Sequence, residues 1–173
     1  MTRALGAGRD RDRAYENDLE LGARRFLLLP PDRYFGWTPY AWLIYLPTLF
    51  IQPVARHASI WEWVATILVT IAFLVAYFRS WWVTGRRLVP IIAFETLLGV
   101  GLTATNSGAA VLYVYASSCA SQLERPRDAM RAIVAVLATA LLTGYVVGAP
   151  PAYWVMTIVL VPVIGCVNVH YAQ

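Results

Sequence analysis

The chain has 173 residues, 59% hydrophobic and 14% charged, with a mean hydropathy of +0.56 and a formal net charge of +4. A soluble domain carries about 25% charge, so composition excludes an ordinary water-soluble globule. The positive balance is no nucleic-acid footprint either, because the arginines flank apolar stretches instead of forming one basic face.

Residues 1–33 hold six of the ten acidic and seven of the fourteen basic residues, and every basic residue in the chain is Arg. They read as a charged, weakly ordered cytoplasmic tail, lacking the apolar core and cleavage site of a secretory signal. Residues 34–173 read as one membrane domain. A first span is expected over Trp37–Val54, with Pro47 removing a backbone hydrogen bond and kinking it. A short connection, Ala55-Arg56-His57-Ala58, leads to a second span over Ile60–Phe78, followed by the basic and aromatic loop RSWWVTGRR.

From Leu88 to Leu123 the chain is nearly free of charge. As one helix this run would be roughly 54 Å long, against a hydrocarbon core of about 30 Å. The polar knot Thr105-Asn106-Ser107-Gly108 divides it into a third span, Leu88–Thr103, and a fourth, Gly108–Ser121. Asn106 and Gly108 suit the tight turn of an outward-facing hairpin. QLERPRDAMR reads as a loop, a fifth span covers Arg131–Val147 and is closed by the prolines of GAPPA, and a sixth covers Tyr153–Val169.

Loop charge orients the bundle. Six spans put thirteen arginines on one side and only Arg56 on the other, the asymmetry of a cytoplasmic face. The expectation is an all-α, polytopic bundle of six transmembrane helices in a bacterial cytoplasmic (inner) membrane, with both termini cytoplasmic. Trp37, Trp81, Trp82, Arg86 and Arg87 are expected as anchors at the inner interface, and Trp61, Trp63 and Trp154 at the outer one.

Chemistry-bearing residues are few. Glu95 is the one carboxylate inside a span, and such groups are costly enough to mark function by default. A second reading stays open, in which it reaches water or Arg86 and Arg87 at the inner interface. His57 and His170 lack a spaced metal-ligating partner, and Cys119 and Cys166 read as small packing groups near the inner leaflet. Ala140, Gly144 and Gly148 form a small-residue stripe that lets helices approach closely. Tyr113 and Tyr115 point to different sides of their helix. The residues show no phosphate loop, no nucleophile–base pair and no catalytic triad, so neither a catalytic residue nor a cofactor is expected. The candidate sensing and packing residues are Glu95, Pro47, Asn106, Gly108, Gly144 and Gly148.

Taken in order, RYFGWTPYAWLIYLP, FRSWWVTGRRLVPI, NSGAAVLYVYASS and VIGCVNVHYAQ resemble the N-terminal membrane sensor domain of bacterial DesK-type histidine kinases, over about Tyr34 to Gln173. The resemblance implies a module that detects membrane state or an envelope signal. It would pass the signal through its last helix to an ATP-dependent histidine kinase core, which this chain lacks. It also implies membrane lipids as partners, dimerisation through the kinase part and a response regulator downstream. Short third and fourth spans, of 16 and 14 residues, would make such a domain sensitive to bilayer thickness. Two other classes remain: a small transporter or channel subunit, which would want polar groups converging at mid-membrane, and a membrane scaffold that docks through its charged tail. A kinase or response-regulator gene adjoining this one favours the sensor, and a permease or ATPase gene favours transport.

Overall fold

Prolines and caps decide where the helices of this chain begin and break, and one short buried helix decides how they assemble. The computed structural model describes residues 38–171, so the tail and the expected anchor Trp37 lie outside the described residues. In chain order the helices are α1 (Thr38–Trp42), α2 (Thr48–Ala55), α3 (Ile60–Ser80), α4 (Val89–Thr103), α5 (Ala110–Ala120), α6 (Pro126–Val147), α7 (Pro151–Val155) and α8 (Val161–Tyr171). A π-helical turn, Met156–Leu160, joins α7 to α8. There is no strand among the described residues. Three helical stretches are long and apolar enough to cross a membrane: Ile60–Ser80, Pro126–Val147 and Pro151–Val169.

The first apolar segment departs furthest from expectation. Pro47 does more than kink it. The chain passes from α1 through a 3-10 turn at Leu43–Tyr45 and restarts as α2. Pro47 offers no N–H to the carbonyl four residues back, and the Leu43 carbonyl accepts instead from the Leu46 N–H at 3.0 Å. The Thr48 hydroxyl donates to the Tyr45 carbonyl at 2.7 Å across the same break. α2 then ends on His57, exposed and in the left-handed conformation at φ 50°. The Ala58 N–H reaches the Pro53 carbonyl and the His57 N–H that of Val54, which together make a Schellman turn.

α6 starts a turn earlier than expected, because Pro126 suits a first helical position; only the stretch up to Arg125 is loop. It ends on Gly148 at φ +63°. There the Ala149 N–H bonds to the Gly144 carbonyl at 2.9 Å and the Gly148 N–H to that of Tyr145 at 3.3 Å. The Schellman turn stops the helix before the paired prolines, so Gly148 is a cap and does not extend the stripe of Ala140 and Gly144.

α5 sits at the centre. Ten of its eleven residues are buried, as expected of a helix that is apolar all round. It divides the interior into two clusters. Tyr113 belongs to one, with Leu88, Ile92, Val136, Tyr153 and Val161, and Tyr115 to the other, with Leu49, Phe73 and Tyr77. Cys119 belongs to this interior, but Cys166 on α8 is exposed, so the expected shared packing role holds for Cys119 alone.

The α6 stripe receives a ring from its own chain. The Tyr153 hydroxyl donates to the Ala140 carbonyl at 2.7 Å, and a Cβ added at Gly144 would fall 2.4 Å from the Tyr153 ring. That ring is buried, with Tyr113 and Trp154 edge-on to it. Gly144→Ala is therefore expected to destabilise the detergent-solubilised protein by about 1–3 kcal/mol. Gly101→Ala is the control: nothing lies within 4 Å of the added Cβ, and a helical Gly-to-Ala change in open space gains up to about 1 kcal/mol. Thermal unfolding of the two variants in one detergent checks both.

Candidate functional site

α4 carries Glu95 into the space between α3 and α5. The residue is 1% exposed, and it makes no ion pair with Arg86 or Arg87, which are exposed. The reading in which Glu95 reaches water or those arginines does not describe this arrangement. Its electrostatic neighbours are Tyr77 from α3 and Tyr115 and Cys119 from α5. Phe73, Tyr77 and Tyr115 pack as a ring cluster with centroids 4.7–5.7 Å apart. Neither tyrosine hydroxyl is spare. Tyr77 donates to the Pro39 carbonyl and Tyr115 to the Trp42 carbonyl, each at 2.6 Å. The second is a carbonyl at the break between α1 and the 3-10 turn. One Glu95 oxygen, Oε2, is left without a hydrogen-bond partner, and a buried polar group in that state costs free energy in either protonation state. A single sealed carboxyl with no second carboxylate or histidine beside it among the described residues is not a relay, and no cluster of metal-ligating residues occurs among them.

The polar knot is built differently from a solvated tip. Asn106 is 2% exposed. Its Nδ2 donates to the Leu49 carbonyl at 2.6 Å, and its Oδ1 accepts from the Gly108 N–H at 2.9 Å. The first bond has a cause in the sequence. Pro53 lies inside α2 and has no N–H for the carbonyl four residues back, which is that of Leu49. Asn106, in the α4–α5 connection, supplies the missing donor. Beside it, Gln52 Oε1 accepts from both the N–H and the hydroxyl of Ser107. Gly108 has no positive φ; it is glycine because an added Cβ would fall 2.5 Å from the Thr48 carbonyl oxygen. The knot thus fastens α2 to the α4–α5 connection.

At the opposite end, Trp81 and Trp82 are half-buried in the α3–α4 connection, and Trp81 sits edge-on to Tyr77 at 6.0 Å. Arg86 and Arg87 follow, both exposed.

The last helix is the least regular. Through Met156–Leu160 it is π-helical, and Pro162 follows at once. Elsewhere Thr70, Thr96, Thr103, Thr139 and Thr143 each donate a hydroxyl to the carbonyl four residues back. Thr157, inside the π turn and 0% exposed, has no such bond. Further along, Asn168 Nδ2 donates to Ser118 Oγ at 2.9 Å, tying α8 to α5. Gln52, Pro53, Thr157 and Asn168 were not among the expected site residues. Pro53, four residues after Leu49, was a readable sign of an orphaned carbonyl; the π turn has no comparable sign.

Compared with known proteins, the sequence matches no family model, and no curated protein or solved structure matches it significantly.

Proposed function

We propose that the chain is the membrane sensor module of a DesK-type two-component system. On this reading it threads a bacterial cytoplasmic membrane six times, with both ends cytoplasmic. It answers to membrane state, and its last helix hands the change to a dimeric histidine kinase core that phosphorylates a response regulator. The observation that carries the reading is the last helix, interrupted by a π turn where it packs on a short, fully enclosed helix.

Two physical steps connect that geometry to sensing. α4, which exposes Val89, Phe94 and Leu97, has 15 residues, about 22 Å of helix against a hydrocarbon core of about 30 Å. Each ångström of mismatch costs a fraction of a kcal/mol, so a thicker bilayer penalises this arrangement relative to any longer one. A π turn holds one residue more than the α-helical turn it replaces. Converting it to α-helix with every residue kept would rotate everything beyond it by roughly 100° and push it out by about 1.5 Å. Pro162, with no N–H, keeps that stretch of helix weakly held. The Asn168–Ser118 bond is the polar contact such a rotation would exchange.

Transport is less well supported, since Glu95 is sealed and no further carboxylate joins it among the described residues.

The test is to join a DesK-type kinase core after Gln173 and reconstitute the fusion in phosphatidylcholine bilayers of increasing acyl length. Autophosphorylation is expected to change about tenfold over a few ångströms of thickness. Deleting Ile158, exposed within the π turn, is expected to fix the output at one level. A response that stays flat across thickness rejects mismatch sensing.

A further inference from the structure

The connections α3–α4 and α5–α6 enclose a cleft of about 580 Å³ that neither Glu95 nor the last helix uses. Gly85 and Arg86 form one wall; Glu124, Arg125 and the first turns of α6 form the other. Val89 and Leu123 give it an apolar lining. Trp81 and Trp82 lie in the same α3–α4 connection, and indole rings settle at headgroup depth.

The charged groups of the cleft are not equivalent. Arg131 is engaged by Asp128 at 3.6 Å. Arg86 and Arg125 are exposed and have no acidic partner among the described residues. Glu124, exposed, lies against Gly85. Gly85 has φ +60°, which calls for Gly, and an added Cβ would fall 2.5 Å from Glu124 Oε1.

Two guanidinium groups without an acidic partner among the described residues and one carboxylate in the same cleft, at headgroup depth, complement a phosphate that carries an amine nearby. We propose that the cleft binds the headgroup of an aminophospholipid, with its phosphate on Arg86 and Arg125 and its ammonium against Glu124. A choline headgroup has no N–H to give Glu124, and an acidic headgroup without an amine leaves that carboxylate facing like charge. The inference rests on the membrane reading above and names a lipid partner for it.

The test uses the full chain in detergent, with bound lipid counted by native mass spectrometry. It is offered phosphatidylethanolamine, phosphatidylcholine or phosphatidylglycerol of identical acyl chains. Phosphatidylethanolamine is expected to be retained over both others, and Arg86→Gln with Arg125→Gln to weaken its retention at least about tenfold. Glu124→Gln is expected to erase the preference over phosphatidylglycerol. All three side chains are exposed, so helix content by circular dichroism should not change. Should the double variant unfold, the Glu124→Gln lipid ratio decides alone. Glycerophosphoethanolamine, the headgroup without its chains, is expected not to displace the lipid. Equal retention of the three lipids, an unmoved double variant, or displacement by the soluble headgroup would each overturn the proposal. The membrane reading is checked separately, by impermeant thiol labelling of Thr105→Cys and Arg87→Cys in a Cys166→Ser background. If the two label from one side, that reading fails as well; if from opposite sides, only the lipid site is in question.

Discussion

Replacing Asn106 with alanine is expected to lower the stability of the detergent-solubilised protein by about 3 kcal/mol. The side chain makes two hydrogen bonds in the interior, to the Leu49 carbonyl and from the Gly108 N–H. Alanine would leave the buried Leu49 carbonyl and the part-buried Gly108 N–H unpaired, and a buried unpaired group costs about 1–3 kcal/mol. Asn106→Asp is a sharper probe, since it keeps an acceptor for Gly108 but turns an oxygen toward the Leu49 carbonyl, and it should be no milder than alanine. The cause of the dependence is testable too. Pro53→Ala gives α2 the N–H that the Leu49 carbonyl lacks. In that background Asn106→Ala should cost about 1 kcal/mol less than in the wild type. Equal costs in both backgrounds, measured by thermal unfolding, would show that Asn106 does not stand in for the bond Pro53 removes.

This bond also marks how far the sequence alone could be read. Helix-forming segments and their polar punctuation were legible, because apolar runs, prolines and charged loops are local signals. α3 starts at the expected Ile60 and α4 ends at the expected Thr103. Asn106 and Gly108 stood out for the right reason, being polar or small in an apolar run, but a turn explains only half of each. What they do depends on a carbonyl 57 residues away and on the close approach of Thr48, neither of which leaves a periodic trace. The break after Trp42 was partly legible from Pro47, though not its depth. A proline reports a missing donor and not the 3-10 turn by which the chain absorbs it. The small residues of α6 were read as letting helices approach closely; Gly144 receives the Tyr153 ring of the next helix, and Gly148 caps α6. Depth inside the bundle was the least legible quantity. The central position of α5 follows from its neighbours' lengths and faces, and its own apolar sequence would equally suit a lipid-facing helix.

Glu95 is the position where stability and signalling should part. Its carboxyl is buried with Oε2 unpaired, so Glu95→Leu, which removes the polar group and keeps most of the volume, is expected to raise stability by about 1–3 kcal/mol. Glu95→Gln keeps shape and polarity without the ionisable group and should change stability little. Stabilising changes are common where a functional group is held at a structural cost. If Glu95 is such a group, both variants of the kinase fusion should lose the dependence of autophosphorylation on bilayer thickness, although one is more stable than wild type and the other is not. The route runs through α5. Glu95 is within electrostatic reach of Tyr115 and Cys119 on that helix, and Asn168 of the last helix is bound to Ser118 on the same helix, one residue from Cys119. On the sensor reading, a change in how the carboxyl is accommodated would reach the last helix through one intervening turn. Melting curves and a thickness series on the two variants separate the outcomes. A stabilised Leu variant that has lost its response makes the carboxyl part of the sensor, and two variants that respond as wild type leave it without a sensory role.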